Sequence, residues 1–327
     1  MCLWADDAAG RAPGAFPLTD PWAMPGAAVP QPVRTEPDEA AVATIARESS
    51  AAPLPPPPVP LRPMTIPDLL DGSFNILKRR PREVLLLATA FVVPIQLISA
   101  VLLRDVLGAG GFAGLGESTS TVGFTESGEL TGVGTTLVTL LISVISLALL
   151  AGALALLVAD WYEGRQRPPS AIILATLRRS PALVVAVIVV HLLEVVGLVG
   201  LGIGAYIMMG FLHVVSPVVT AEDLGPFRAI GRSVRLTGTR FWRSMGVPAL
   251  VALIGTLVGF GFQLIPELAT LVVSDDWNWL IRSAGSMLAQ LVVAPFTAGV
   301  AVLYHLDLRT RAEGHDIAVS VRTGVVA

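Results

Sequence analysis

The sequence predicts an all-α, polytopic membrane protein of six transmembrane helices, and three observations carry that prediction. Hydrophobic residues make up 53% of the chain and charged residues only 14%, against about 25% charged in an ordinary soluble domain. Apolar stretches at 84–103, 137–159, 183–201, 203–219, 247–265 and 284–306 each approach the roughly 20 residues that a helix needs to cross a bilayer core. The cations, finally, sort to alternate loops. Lys78, Arg79, Arg80 and Arg82 precede the first span, and Arg165, Arg167, Arg178 and Arg179 separate the second from the third. Arg228, Arg232, Arg235, Arg240 and Arg243 separate the fourth from the fifth, and Arg309, Arg311 and Arg322 follow the sixth. The opposite loops hold Arg104 and Arg282 beside several carboxylates, an asymmetry that the net charge of −3 hides. Cytoplasmic loops carry the excess of Lys and Arg, so both termini are expected in the cytoplasm. Five spans would leave one basic end outside.

Residues 1–63 read as a disordered cytoplasmic tail. The stretch is rich in Pro, Ala and Gly, lacks apolar periodicity and ends in Pro55-Pro56-Pro57-Pro58-Val59-Pro60. Such a composition buries too little surface to offset its ordering entropy, and the proline run favours an extended polyproline II form. Cys2 is the single cysteine, which excludes an internal disulfide and a multi-cysteine metal site. The membrane domain is expected over 64–321, with 322–327 as a C-terminal tail. It starts with a helix signal, Thr65 followed by Pro67 and Asp68, a capping box with proline in the first turn. Ile66, Leu69, Leu70, Phe74 and Leu77 then trace one apolar face.

The third and fourth apolar stretches share one run broken by Gly200, Gly202 and Gly204. A hairpin of two short spans or a re-entrant segment accounts for it. Beyond lies the stretch 226–236, where Phe227, Ile230 and Val234 recur at helical spacing and Arg228, Arg232 and Arg235 take the opposite arc. This is an amphipathic helix whose cations suit anionic lipid headgroups and whose apolar side requires burial. Arg232 has an alternative use, pairing with a carboxylate such as Asp307 or Glu313. Three times, at 66–80, 169–179 and 226–243, a proline-led segment runs into a basic cluster and then into two spans. A threefold repeat of amphipathic helix plus hairpin explains the pattern, as does the ordinary placement of cations at cytoplasmic helix ends.

Polar residues inside the spans supply the one sharp site. His191 and Glu194, three apart, share a helix face. His191 and His213 each stand eleven residues from Gly202, so a hairpin brings them to similar depth. Ionisable groups in a membrane are costly and are paired or functional. The three either relay a proton or hold a divalent cation, or form a neutral hydrogen-bonded set that fixes helix register. The glycine-rich run Gly108-Ala109-Gly110-Gly111-Phe112-Ala113 imitates a dinucleotide fingerprint but follows a span and opens no helix. No cofactor is expected.

Two stretches resemble a known family. They are Pro217, Glu222, Gly225-Pro226, Ala229, Arg232-Ser233, Leu236 and Phe241-Trp242, then Leu303-Tyr304 and Asp307-Leu308-Arg309-Thr310-Arg311-Ala312-Glu313-Gly314-His315-Asp316. The entry Leu61-Arg62-Pro63-Met64 through Leu69-Leu70-Asp71-Gly72-Ser73-Phe74 is similar as well. Together they resemble the bacterial membrane-domain family named after the membrane part of glycerophosphoryl diester phosphodiesterases, found free-standing in actinobacteria without the enzyme. The resemblance implies six helices in a bacterial inner membrane and marks Glu222, Arg232, Asp307, Arg309, Arg311, Glu313 and Asp316 as cytoplasmic motif residues. It implies no activity. The namesake's catalytic domain opens on His-Arg-Gly, and none of the four histidines here is followed by Arg-Gly. No stretch outside the spans approaches the roughly 250 residues of a barrel.

The expected role is therefore a non-catalytic scaffold or accessory membrane subunit. Its partners are the bilayer, anionic lipid at the cytoplasmic face and other membrane proteins, with no nucleic acid. A carrier for a lipid or small solute is the alternative, which a charged mid-membrane pathway and discontinuous helices would favour.

Overall fold

The computed structural model describes residues 57–102, 130–198 and 202–323. The tail over 1–56, the glycine run at 108–113 and the loop charges from Arg104 to Glu129 lie outside the described residues. Helix α1 (Ile66–Arg79) opens on the capping box read above. Thr65 Oγ1 accepts from the Asp68 N–H at 3.3 Å, and Asp68 Oδ2 accepts from the Thr65 N–H at 2.8 Å. That reciprocal pair satisfies donors a helix start leaves free. Its bond from the Thr65 backbone also holds the Asp68 carboxyl below its usual range.

The spans follow as α2 (Pro81–Leu102), α3 (Leu130–Tyr162), α4 (Pro169–Leu198) and the pair α5 (Ile203–Leu212) with α6 (Val215–Ala221). Helix α7 (Pro226–Gly238) then precedes α8 (Phe241–Ala269). A short 3-10 turn at Asp275–Trp277 leads into α9 (Asn278–Glu313), and α10 (His315–Thr323) ends the described chain. Gly314, at φ 61°, lets α9 stop and α10 begin because glycine takes the left-handed conformation without a Cβ clash. Six of these segments are long and apolar enough to cross a membrane, α5 and α6 together forming the fourth. No strand occurs among the described residues. The chain is an all-α polytopic membrane protein.

Helix α9 is the axis of the bundle. Val300, Leu303, Tyr304 and Asp307 are buried on it, and it meets α1, α2, α3 and α8. Against α1 the approach is close. Ser73 donates to the Phe296 carbonyl at 2.7 Å, beside Gly299. The glycine-broken run is a hairpin. A methyl group on Gly197 would lie 2.6 Å from the Ala205 backbone nitrogen, so α4 and α5 cross backbone to backbone.

Four expectations need correction. The boundary at 63 falls too late, because Val59 is buried and its carbonyl accepts from the Tyr162 hydroxyl at 2.6 Å. The Pro57 and Pro58 carbonyls accept from Arg79 and Asn75 at 3.0 and 3.3 Å. An extended proline run bares its carbonyls, and donors on α1 and α3 take them. Second, 169–179 is no separate amphipathic helix but the first turns of α4, which passes through Pro181. Proline removes the hydrogen bond to the carbonyl four residues back, and the Ser180 hydroxyl replaces it, donating to Leu177 at 2.8 Å. The other two leads are separate helices with like joints, Arg80 at φ −132°, ψ 53° and Arg240 at φ −137°, ψ 51°.

Third, the fourth span is discontinuous. Helix α5 ends at Leu212 with His213 as its cap, and a turn at His213 and Val214 precedes α6. Fourth, α7 leaves Phe227 and Val234 of its expected apolar side outward, while Ile230 is half-buried against the core. Ala229, Ser233, Leu236 and Thr237 face the bundle, while Phe227 is 71% exposed and Val234 is exposed too. Small and hydroxyl side chains allow close seating, with Ser233 and Thr237 both donating to the Phe211 carbonyl at 2.6 and 3.2 Å.

Candidate functional sites at the basic end and in the bundle interior

The loop after α6 and the end of α9 meet in one ion network. Asp223, at φ 55°, turns the chain so that Glu222 faces α9. Arg232 then clamps two carboxylates, donating to Glu222 at 2.8 and 3.3 Å and pairing with Glu313. His305 Nε2 lies 2.9 Å from Glu222 Oε1, and Arg309 stands 3.6 Å from Glu222 and 3.4 Å from Glu313. Burial opposes ionisation of Glu222, but the hydrogen bonds from His305 and Arg232 outweigh it and hold its carboxyl down to about 2. The bond to Glu313, then that to Glu222, holds Arg232 more firmly protonated than an ordinary guanidinium.

A second network lies on the neighbouring face of α9. Asp307, 0% exposed, accepts from the Met64 N–H at 2.7 Å and from Arg311 at 2.9 Å, and pairs with Arg243 at 3.1 Å. Both arginines also donate to the Met64 carbonyl, at 2.8 and 2.6 Å. One buried carboxylate thus fastens the lead into α1, the start of α8 and the end of α9. Two smaller contacts extend the clamp. Arg179 holds the Thr220 carbonyl at 2.5 Å and Asp223 at 2.9 Å, and Asp160 takes Arg165 and Arg167 at 3.0 and 2.9 Å.

Six of the seven motif residues therefore join the two networks: Glu222, Arg232, Arg309 and Glu313 in one, Asp307 and Arg311 in the other. Asp316 stands in the first turn of α10 and belongs to neither. Arg232 takes its second expected use, with Glu222 added to Glu313. Sequence reading missed His305, Arg243 and the Met64 backbone. The spacing His305 to Arg309 and Asp307 to Arg311, each four apart on a helix, was a usable signal for two charged faces.

Outside the clamp, α7 and the start of α8 are bare. Trp242 is 83% exposed, Phe227 and Val234 are exposed as well, and Arg228, Arg235 and Arg240 are exposed without an ion pair among the described residues.

The interior site lies between spans. A cavity of about 270 Å³ is lined by His191 and Glu194 from α4 and by His213 at the α5–α6 break, so the expected trio shares one space. His191 Nδ1 and Glu194 Oε2 are 2.5 Å apart. His213 makes no such pair; its Nε2 is buried without a hydrogen-bond partner, and its ring stands 6.2 Å from Tyr304. Among the described residues no three metal-ligating side chains are arranged to hold an ion. His191 lies about 18 Å along α4 from Arg179 at 1.5 Å per residue, more than half of a core roughly 30 Å thick.

No family model, no curated protein and no solved structure matches the chain. Fold and sites define its class: an integral membrane protein of six apolar helices, clamped by ion pairs at its basic end and hollow near its middle.

Proposed function

We propose that the protein is a non-catalytic membrane scaffold or accessory subunit, with its basic end in the cytoplasm of a bacterial cell. The observation that carries this reading is the use of the motif charges. Glu222, Arg232, Asp307, Arg309, Arg311 and Glu313 are consumed in pairs with one another and with the Met64 backbone. Charges arranged for catalysis leave a group free to meet a substrate. These instead build a rigid platform, which holds Phe227, Val234 and Trp242 outward beside Arg228 and Arg235.

Such a surface suits the anionic cytoplasmic leaflet, with aromatics at headgroup level and cations at phosphate level. Full-length protein in nanodiscs tests it, through the thermal midpoint in phosphatidylglycerol relative to phosphatidylcholine. Wild type should melt higher in the anionic lipid, and Arg228→Gln with Arg235→Gln should remove most of that difference. An equal midpoint in both lipids for wild type would refute the lipid-facing platform.

A carrier for a small solute is the second reading, favoured by the cavity and by the break at His213 inside the fourth span. Transport by a charge site requires titratable groups. Uptake or growth of a knockout strain should then fail with Glu194→Gln, although the variant still reaches the membrane. Normal complementation by that variant counts against the carrier.

A further inference from the structure

We propose that the cavity between the spans is a binding site for a small apolar amine, whose ammonium group pairs with the Glu194 carboxylate. The inference goes beyond the platform and extends the carrier reading only in naming a ligand class. Binding is read without transport, so its failure and the failure of either reading are separable.

Size and lining come first. A cavity of about 150 Å³ accommodates benzene, so about 270 Å³ has room for a ring with a short side chain. Most of the wall is apolar: Val144, Leu147 and Ala148 from α3, Val190 from α4 and Val251 from α8 are typical of it. Such a wall rewards a hydrocarbon body and offers nothing to a hydrated ion.

The charge follows from the polar groups. The titratable side chains lining the cavity are His191 and Glu194 on α4 and His213 at the α5–α6 break. The linings supplied by α3, α8 and α9 add only Thr297 and apolar residues. Glu194 is thus the one acid, held by His191 at 2.5 Å. A carboxylate ligand would face Glu194 and be repelled. An ammonium group meets in Glu194 the one acid of the lining, and a charge at this depth is costly unless it is paired. His213, whose Nε2 has no partner, offers a second hydrogen-bonding group at the same cavity. These features explain a half-buried acid–base pair facing a space lined mostly by apolar side chains.

The test uses full-length protein in nanodiscs and three probes of one shape: 2-phenylethylamine, 2-phenylethanol and phenylacetate. Calorimetry, corrected with empty nanodiscs, reads affinity. The amine should bind at least about tenfold more tightly than the alcohol, as a charge-assisted bond allows. Glu194→Gln should abolish the preference for the amine while leaving alcohol binding. Ala301→Leu, which fills the cavity, should weaken both. Equal affinity for amine and alcohol, tightest binding of phenylacetate, no binding of any probe, or an amine preference that survives Glu194→Gln would each overturn the proposal. The wild-type series decides even where a variant fails to fold.

Discussion

At the scale of single residues, Asp307 and Glu222 show how charges hold a membrane protein at its water-facing rim. Asp307 is fully buried, and its negative charge answers both Arg243 and Arg311 while its oxygen also takes the Met64 N–H. Removing one partner of a buried pair leaves the other uncompensated and costs about 3–5 kcal/mol. Asp307→Asn should therefore lower the thermal midpoint of the purified protein sharply. Arg309→Gln, whose contacts are longer, should cost less than about 1 kcal/mol. Glu222 gives a pH signature. Its folded carboxyl is held at about 2, below the ordinary 4.5. A depressed carboxyl contributes stability that is present above its unfolded pKa and lost as pH falls through its folded one. Glu222 should accordingly stabilise fully above about pH 4.5 and lose that contribution towards pH 2. Melting curves of wild type and Glu222→Gln across this window check it: the gap between them should close as the pH drops. A gap independent of pH would mean that Glu222 acts through shape alone.

At the scale of elements, small residues decide where helices touch. Gly197 meets the backbone of Gly204 and Ala205, while Gly259 on α8 faces open space. Gly197→Ala forces that hairpin apart and should destabilise by about 1–3 kcal/mol, as overpacking does. Gly259→Ala only improves helix propensity and should be neutral or stabilising by up to about 1 kcal/mol. Thermal denaturation of both variants side by side measures the contrast. Gln263 shows the polar counterpart, donating to the Arg282 carbonyl at 3.3 Å near the buried Glu267–Arg282 pair. That pair joins α8 to α9 at the end opposite the clamp.

At the scale of the whole molecule, the clamp makes topology testable. The structure gathers Arg80, Arg165, Arg167, Arg179, Arg243 and Arg311 at one end, through Trp161, Asp160, Asp223 and Asp307. The positive-inside rule predicts that this end faces the cytoplasm. Single cysteines at Gly238 and Gly314, on a background with Cys2 replaced, should resist an impermeant thiol reagent added to intact cells. A cysteine at Asp276, beside the turn between α8 and α9, should react. Labelling of Gly238 from outside would invert the scheme.

The sequence by itself determined the class, the six apolar helices, the capping box at Thr65 and the shared location of His191, Glu194 and His213. Composition and 3.6-residue spacing are local properties, and a bilayer admits few architectures that satisfy every backbone group. Tertiary structure decided what is not local. The order of residues offered Glu313 to Arg232 as one carboxylate among others, but it did not say that Glu222 joins it, or that Met64 shares Asp307 with two arginines across 243 positions. The outward turn of Phe227 was hidden for a related reason. Amphipathicity tells which face differs, but a small face of Ala229 and Ser233 seats more closely on the bundle, and Phe227 and Val234 are left exposed. The break at His213 had a local signal, because Pro217 has no N–H to give the His213 carbonyl four residues back.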